Sequence, residues 1–376
     1  MIYRVTCLSP TLVGDGQKLA PIDYMVWKDY VNVLDQGRIF RLLSKGPRLD
    51  GYLAQLKKAE RLDFASWGGF AQNFAGRRIP FDFAGAVPVW EKARPEHLFI
   101  PTFATSTAGP YLPATALKGA LRTGAVFDRW SEATLRHIAG RLEEGRFPRD
   151  LASKAEDSVL GGPGSSRMRR VSIADSASLD FSGMKVYLLR VATLVPRGKD
   201  VSGADRFELA WKSARGSVAA SDARRMLEEA TPLFAEMAVP GTTFEGRWRE
   251  RSPADRQALF EAANKYAGEQ IERHKKYAAL AGLAPLGAFL DALAGRLGEI
   301  RGKGNGCLLS IGWGGGMLGK LGFVDTGNET YRGILRQTPF YQRAIQSGLP
   351  LPKTRRVIFQ GGRPASLPGW VQMEVS

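Results

Sequence analysis

The chain has 376 residues and carries 53 Lys and Arg against 37 Asp and Glu, a formal net charge of +16. Hydrophobic residues make up 44% of it, which excludes a chain disordered throughout, and its length suits two or three packed units. Such a basic chain with 10% aromatic residues is typical of proteins that bind nucleic acids.

Along the chain, predicted strands and helices are mixed without a regular strand–helix repeat. In the first half we expect a strand over 2–13, two short strands over 22–34, a helix over 36–73, strands over 85–105 and two helices over 115–145. In the second half we expect strands over 184–195, 205–211 and 242–249, a helical segment over 253–297, a glycine-rich loop over 301–322 and an edge strand from 354. This order predicts an α+β protein with antiparallel sheets, built from two tandem ferredoxin-like (RRM-like) units with helical insertions, 1–180 and 181–376.

Signals for membranes, secretion and metals are missing from the sequence. No run reaches the ~18 apolar residues that a spanning helix needs, and the first residues carry no secretory pattern. Cys7 and Cys307 are isolated, so neither a disulfide framework nor a zinc site is indicated. We therefore expect a cytoplasmic protein with no membrane partner.

The positive charge is distributed unevenly. Residues 301–376 hold 10 Lys and Arg against 3 Asp and Glu, whereas residues 215–300 hold 12 of each sign. A neutral segment thus separates two basic regions. One interpretation is a solvated layer of surface helices in the middle of the chain. The other is that the two basic regions converge on one polyanion.

The first candidate site is the sequence YLPATALKGALR over 111–122. Thr115 can cap the helix that follows Pro113, and Lys118 and Arg122 lie four residues apart on one face. These like charges repel each other and oppose the helix dipole, and a bound anion would relieve both effects. RNA phosphate contacts and an ordinary amphipathic helix with two solvated bases both fit.

The second candidate site is RGKGNGCLLSIGWGGGMLGKLG over 301–322, which holds nine glycines. Glycine lets backbone N–H groups approach a phosphate closely, and a tryptophan face can stack on a base. The candidate RNA-binding residues here are Lys303, Asn305, Gly306, Trp313, Gly314, Gly315, Gly316 and Lys320. The alternatives are that the glycines serve only a structural hairpin and that Trp313 packs the loop.

Two further basic segments precede predicted strands. They are SSRMRRVSIADS over 165–176, with Arg167, Arg169 and Arg170, and PKTRRVIF over 352–359, with Lys353, Arg355 and Arg356. Simple solvation and contact with an RNA backbone fit both segments equally well.

The histidines His97, His137 and His274 lie in no hydrolase or metal-site pattern. We expect His274, next to two lysines, to face solvent, and Asp15 to be a turn residue. No carboxylates have the spacing of a metal site. The sequence therefore predicts no catalytic residue, no metal and no cofactor.

Together these segments resemble the RAMP superfamily of CRISPR-associated proteins, and within it the fifth subunit of Csm-type (type III-A) effector complexes. The resemblance rests on LVGDG over 12–16 with LAPIDY over 19–24, on the helix start over 111–122, on RMRRVSIADS, on IGWGGGMLGKLG, and on PKTRRVIF with PGWVQME. The Lys-Gly-x-x-Arg helix marks the superfamily, whereas the tryptophan-glycine segment and the tail indicate this subunit. Relatives often carry a Ser pair where this chain has Ala114-Thr115-Ala116.

The resemblance implies ferredoxin-like RNA-recognition units and a non-catalytic place at one end of the complex's backbone. It implies contact with the 3′ spacer part of the CRISPR RNA (crRNA), and a role in crRNA maturation and antiviral defence. The implied partners are crRNA, the adjacent backbone RAMP subunit, the small helical subunit, and host nucleases that trim the RNA 3′ end.

Three alternatives stay open at this point. One is an endoribonuclease of the same superfamily that cuts CRISPR precursor RNA with His97 or His137. The second is another RAMP subunit of a type III complex. The third is an architectural capping subunit that recruits nucleases and touches RNA little by itself.

Overall fold

The computed structural model describes residues 1–58, 73–143, 149–162, 164–199, 203, 205–213, 223–224, 226–323, 325, 327–337, 341–342, 345 and 348–376. Its strands are β1 Ile2–Cys7, β2 Lys18–Leu19, β3 Tyr24–Trp27, β4 Tyr30–Leu34, β5 Ala75–Pro80, β6 Ile100–Pro101, β7 Thr105–Ser106, β8 Gly109–Pro110, β9 Val171–Ser176, β10 Met184–Lys199, β11 Asp205–Lys212, β12 Ala223–Arg224, β13 Leu233–Ala238, β14 Thr243–Glu250, β15 Gly306–Ser310, β16 Thr354–Gln360, β17 Arg363–Ser366 and β18 Trp370–Val375. Its α-helices are α1 Gln36–Leu43, α2 Leu49–Lys58, α3 Ala86–Lys92, α4 Ala114–Arg129, α5 Glu132–Glu143, α6 Leu151–Leu160, α7 Pro253–Leu280, α8 Ala284–Lys303 and α9 Glu329–Arg336.

The first large sheet has the order β15-β18-β1-β14-β9, and its strand pairs are antiparallel. In β1, Tyr3, Val5 and Cys7 are buried while Ile2 and Arg4 are exposed, the alternation expected of a strand with one face on a core. The prediction of an α+β protein with antiparallel sheets is confirmed.

The second large sheet has the order β12-β11-β10-β16-β17, and β13 also pairs with β10. The strand predicted from residue 354 is present as β16, but the prediction that it forms an edge is wrong. It lies between β10 and β17, so both of its edges are paired, and Val357 and Phe359 are buried in the core against this sheet.

The first sheet joins strands from both parts of the chain. Strands β1 and β9 come before residue 180, whereas β14, β15 and β18 come after it. The boundary predicted between 180 and 181 therefore does not separate one sheet from the other.

The predicted helical segment over 253–297 forms two helices, α7 and α8, which break at Ala281–Leu283. Ser252 caps α7 by accepting a hydrogen bond from the N–H of Asp255, and Gly282 turns the chain with φ of +64°. Twelve residues of α7 are buried, including the polar Asn264, Gln270 and His274. The interpretation of the neutral segment over 215–300 as a solvated layer of surface helices is wrong for its helical part, because α7 packs against α4, α8 and β15.

Two local predictions differ from the structure. The strand-like stretch over 85–105 contains helix α3, where Ala86 and Trp90 are buried on one side at helical spacing. Strand β13 was not predicted, although its hydrophobic residues are buried against β10. The last part of the helix predicted over 36–73 lies partly outside the described residues.

Candidate nucleic-acid interface

The start of α4 and the glycine-rich segment that follows β15, from residue 311, lie at the same end of the first sheet. The registers at this end are Ser310↔Trp370, Cys7↔Val371, Thr6↔Thr243 and Gly246↔Ser176. Strands β15 and β9 therefore both end here, on opposite edges of the sheet. The N–H of Leu112 donates to Oγ of Ser176 at 2.8 Å, so α4 begins at this end as well.

The start of α4 is capped by a residue from another element. The N–H of Ala114 donates to Oδ1 of Asp175 at 2.7 Å, and no side chain within the helix caps it. The prediction that Thr115 is the N-cap is wrong, because the helix already begins at Ala114 after Pro113. A carboxylate at a helix N-terminus interacts favourably with the helix dipole.

Both cations of the candidate segment over 111–122 have protein partners. Nζ of Lys118 donates to the carbonyl of Val171 at 3.2 Å, which ties α4 to β9. The guanidinium of Arg122 pairs with Glu156 on α6 at 3.0 Å, and half of its side chain stays exposed. Exposed pairs of this kind contribute little to stability, so Arg122 can exchange Glu156 for another anion at small cost.

A groove of about 270 Å³ lies between α4 and the glycine-rich segment. On the helix side, small residues line it together with Arg122: Thr115, Ala116, Gly119 and Ala120. On the other side lie Gly312, Gly315, Gly316 and Lys320. None of the described residues that line this groove is acidic. The groove therefore offers exposed backbone and positive charge to a ligand.

The glycines of this segment serve different purposes. Gly312, with φ of +73°, lies where a Cβ would be 2.1 Å from the carbonyl oxygen of Leu12, so the fold itself requires it. Gly316 faces open space instead, as does Gly119 on the helix side of the groove. Gly316 also has a positive φ of +66°, so its backbone requires glycine as well, and both open positions leave room for a ligand backbone.

Trp313 packs the segment against the body of the protein. Its backbone N–H donates to the carbonyl of Leu12 at 2.7 Å, and its ring packs against the core around the first sheet. The guanidinium carbon of Arg356 lies 4.8 Å from the ring centroid. Of the two roles that the sequence left open for Trp313, packing fits this geometry, because Arg356 already covers one face of the ring.

Arg355 and His274 meet in the interior. Nε of Arg355 donates to Nδ1 of His274 at 2.8 Å, and its guanidinium lies 4.3 Å from the ring centroid of Tyr277. The expectation that His274 faces solvent is wrong, because α7 is buried on the side that carries it, and His274 is only 5% exposed. Arg355 is buried as well, whereas Arg356 and Lys353 are partly exposed.

The remaining sequence candidates lie at the opposite end of the first sheet. Arg167, Arg169 and Arg170 form a 3-10 turn before β9, while Lys303 ends α8 and Asn305 precedes β15. Strand β15 puts about 13 Å between its first and last residues. The glycine-rich sequence over 301–322 thus consists of the end of helix α8, strand β15 and an irregular segment from residue 311. Its candidate residues therefore lie in two groups, one at each end of the first sheet.

Within this second group, two candidates have structural roles. Arg170 pairs with Asp255 at 3.0 Å, which fixes the turn to the start of α7. Gly306 is a buried strand residue, and a Cβ there would lie 2.7 Å from the carbonyl oxygen of Met373. Gly306 therefore allows β15 to pair closely with β18.

Sequence reasoning missed three residues that matter here. Asp175 caps the start of α4, Glu156 pairs with Arg122 in the middle of that helix, and Lys212 faces the glycine-rich segment from strand β11. The partners of Asp175 and Glu156 are 34 or more residues away from them in sequence. No local pattern carries such contacts, although Asp175 lies within the basic segment over 165–176 that the sequence indicated.

Some kinds of site do not occur in the part of the chain that the structure describes. No three His, Cys, Asp or Glu side chains gather into a possible metal site there. None of its helices is both long and apolar enough to cross a membrane. Cys7 and Cys307 are buried, and burial raises the pKa of the Cys7 thiol to about 12, so both are unreactive.

The sequence profile of the RAMP superfamily matches residues 4–315 of this chain. Its fold is similar to a chain of a Csm–crRNA–target RNA ternary complex from a type III-A CRISPR–Cas system, with 17% identity, a TM-score of 0.65 and full coverage of both chains. It is also similar to the crystal structure of Csm5 from T. onnurineus, with 16% identity, a TM-score of 0.60 and coverage of 98% and 99%. No curated protein matches the chain significantly in sequence.

Proposed function

Because this chain belongs to the RAMP superfamily, we propose that it is a non-catalytic RNA-binding subunit of a type III-A CRISPR effector complex, equivalent to Csm5. Its place is one end of the complex's backbone, where it contacts the 3′ spacer part of the crRNA and supports crRNA maturation and antiviral defence. The full-length similarity of its fold to Csm5 supports this assignment. Tandem ferredoxin-like units and a cytoplasmic location remain part of the proposal.

The observation that carries the proposal is the groove between α4 and the glycine-rich segment. Arg122 and Lys320 are exposed at its rim, and the described lining holds no carboxylate. Gly119 is exposed in the interior of a helix, where glycine costs about 1 kcal/mol relative to alanine, and no described residue fills the space beside it. A ligand with a charged backbone that approaches α4 closely gives that glycine a purpose.

The proposed partners follow from the same assignment. They are crRNA, the adjacent backbone RAMP subunit and the small helical subunit, with host nucleases recruited for 3′ trimming. The related chain of known structure belongs to a complex that contains Csm proteins, crRNA and target RNA.

The direct test is RNA binding by the full chain carrying both Arg122→Ala and Lys320→Ala. We expect the double variant to bind single-stranded RNA more weakly by a similar factor for all sequences. The slope of log K against log salt should fall by roughly one for each lost phosphate contact. Arg136→Ala, on the exposed side of α5, is the matched control. An unchanged slope in the double variant contradicts the proposal.

The non-catalytic part of the proposal has a separate test. The full chain is incubated with repeat-containing precursor RNA with and without Mg²⁺. We expect intact RNA in both cases. Discrete cuts that disappear in His97→Ala or His137→Ala would identify an endoribonuclease instead.

A further experiment separates RNA binding from a purely architectural capping role. Affinity for crRNA is measured for the chain alone and with its neighbouring backbone subunit. Affinity that appears only with the neighbour, and that Arg122→Ala and Lys320→Ala leave unchanged, would favour the architectural role.

A further inference from the structure

A second depression lies on the other side of the glycine turn, between that turn and strand β16. This cleft has a volume of about 260 Å³ and shares Ser310, Gly315 and Gly316 with the groove beside α4. Among the described residues that line it are Lys212, Arg355 and Arg356, and none is acidic. The cleft is therefore a concentrated source of positive charge next to the proposed RNA groove.

The register of the second sheet puts these cations in a row. Val191 of β10 faces Arg356 of β16, and Ala192 faces Trp211 of β11, so Lys212 continues the ladder opposite Val191. Residues directly opposite each other have their side chains on the same face. Lys212 and Arg356 thus flank Val191 roughly 10 Å apart, which is two strand spacings.

Among the described residues, no carboxylate pairs with the cations Lys212, Lys353 and Arg356 in and beside the cleft. Lys212 and Lys353 form no ion pair within the described part of the chain. Burial, and then the charge of Lys353, lower the pKa of the Lys212 ammonium. Nε of Arg356 is buried without a hydrogen-bond partner among the described residues. The unpaired positive charges and the unpartnered Nε of Arg356 destabilise the protein when no ligand is bound. A bound anion would relieve both effects.

The back of the cleft is rigid. Arg355 is held by His274, and its Nη1 donates to the carbonyl oxygens of Pro352 and Thr354 at 2.7 and 2.9 Å. These contacts fix the polypeptide that carries Arg356. A cationic wall held in this way loses little conformational entropy when it binds an anion.

We propose that this cleft binds a single phosphate group of the RNA, with Lys212 and Arg356 as its charged contacts and the turn at Gly314–Gly316 as the opposite wall. The inference rests on the proposed RNA-binding function. A strand that lies in the groove beside α4 reaches the cleft by crossing this turn, because the two depressions share its residues. Lys212 thereby becomes an RNA contact, although it lies 108 residues before Lys320 of the glycine-rich segment in the sequence.

The test compares Lys212→Gln with Arg206→Gln in the full chain. Both residues lie on β11, but Arg206 is exposed near the opposite end of the strand. We expect Lys212→Gln to weaken single-stranded RNA binding about tenfold at low salt, and to reduce the salt slope by roughly one. Arg206→Gln should change neither. Since Lys212→Gln removes a repulsive contact with Lys353, thermal unfolding should show a fold at least as stable as the wild type.

The possible results distinguish a failure of the phosphate-binding proposal for the cleft from a failure of the proposed RNA-binding function. Wild-type protein that does not bind RNA overturns the proposed function and the inference with it. Wild-type protein that binds RNA, with an unchanged Lys212→Gln variant, overturns the cleft alone. A calorimetric titration with inorganic phosphate identifies the other source of this chemistry. If Lys212→Gln abolishes phosphate binding but leaves RNA binding intact, the cleft is a site for free phosphate and the RNA assignment is wrong.

Discussion

Nε of Arg355 donates a hydrogen bond to Nδ1 of His274 across 2.8 Å, although the two residues are 81 positions apart in sequence. This bond requires His274 to be neutral at Nδ1, since a protonated imidazole has no acceptor. Burial, followed by the charge of Arg355, holds the pKa of His274 well below its ordinary value of 6.5. The pair joins α7 to β16 behind the cationic cleft.

Replacing His274 with Phe should destabilise the protein. Phenylalanine keeps a planar ring in the buried site but leaves Nε of Arg355 without its acceptor. An unsatisfied buried donor costs about 1–3 kcal/mol, and more when it is charged. Urea unfolding should show a lower midpoint with an unchanged slope. His137→Phe, at an exposed position on α5, is the matched control and should change the midpoint little.

The free energy of unfolding should fall in acid because of His274. In the unfolded chain the imidazole binds a proton below about pH 6.5, whereas the folded protein keeps it neutral to lower pH. The unfolded state thus binds more protons in this window, so stability is complete above it and is lost as the pH falls. Urea midpoints measured between pH 7.5 and 5 check this. The decline should be smaller in His274→Phe, and an equal decline in both proteins would assign it to other groups.

Gly119→Ala should have opposite effects on folding and on RNA binding. The new methyl group meets no atom of the described residues within 4 Å, so alanine should stabilise α4 by about 1 kcal/mol. The same methyl group narrows the groove and should weaken RNA binding. Gly295→Ala on α8 is the matched control, because it is also exposed and open. We expect it to stabilise the protein and leave RNA binding unchanged. Equal RNA affinity in both variants would argue that the ligand does not approach α4.

Gly124→Ala should destabilise the protein, in contrast to Gly119→Ala on the same helix. A Cβ at Gly124 would lie 2.8 Å from Cα of Ala263, where α4 packs directly on α7. Separating two packed helices to admit a methyl group costs about 1–3 kcal/mol. Thermal or urea unfolding measures the difference between the two variants. If Gly124→Ala proves as stable as Gly119→Ala, then α4 and α7 are less closely packed than described.

The sequence by itself determined the class of fold and the regions that carry charge. Alternation over β1, helical spacing over α4 and α5, and the basic segments depend on residues close in sequence, so local patterns reveal them. One of its two interpretations was that the basic regions converge on one polyanion, and the structure brings Arg122 and Lys320 to one groove.

The tertiary structure decided which of the charged residues remain available. It buried Arg355 against His274 and put Lys303 and Arg167 at the far end of the first sheet. It also put Lys212 and Arg356 on either side of Val191, through the pairing of β11, β10 and β16. These outcomes depend on strand order and on contacts between distant segments, and no local pattern encodes either. The net charge of +16 indicated a polyanion, and only the packed chain decides where that polyanion can lie.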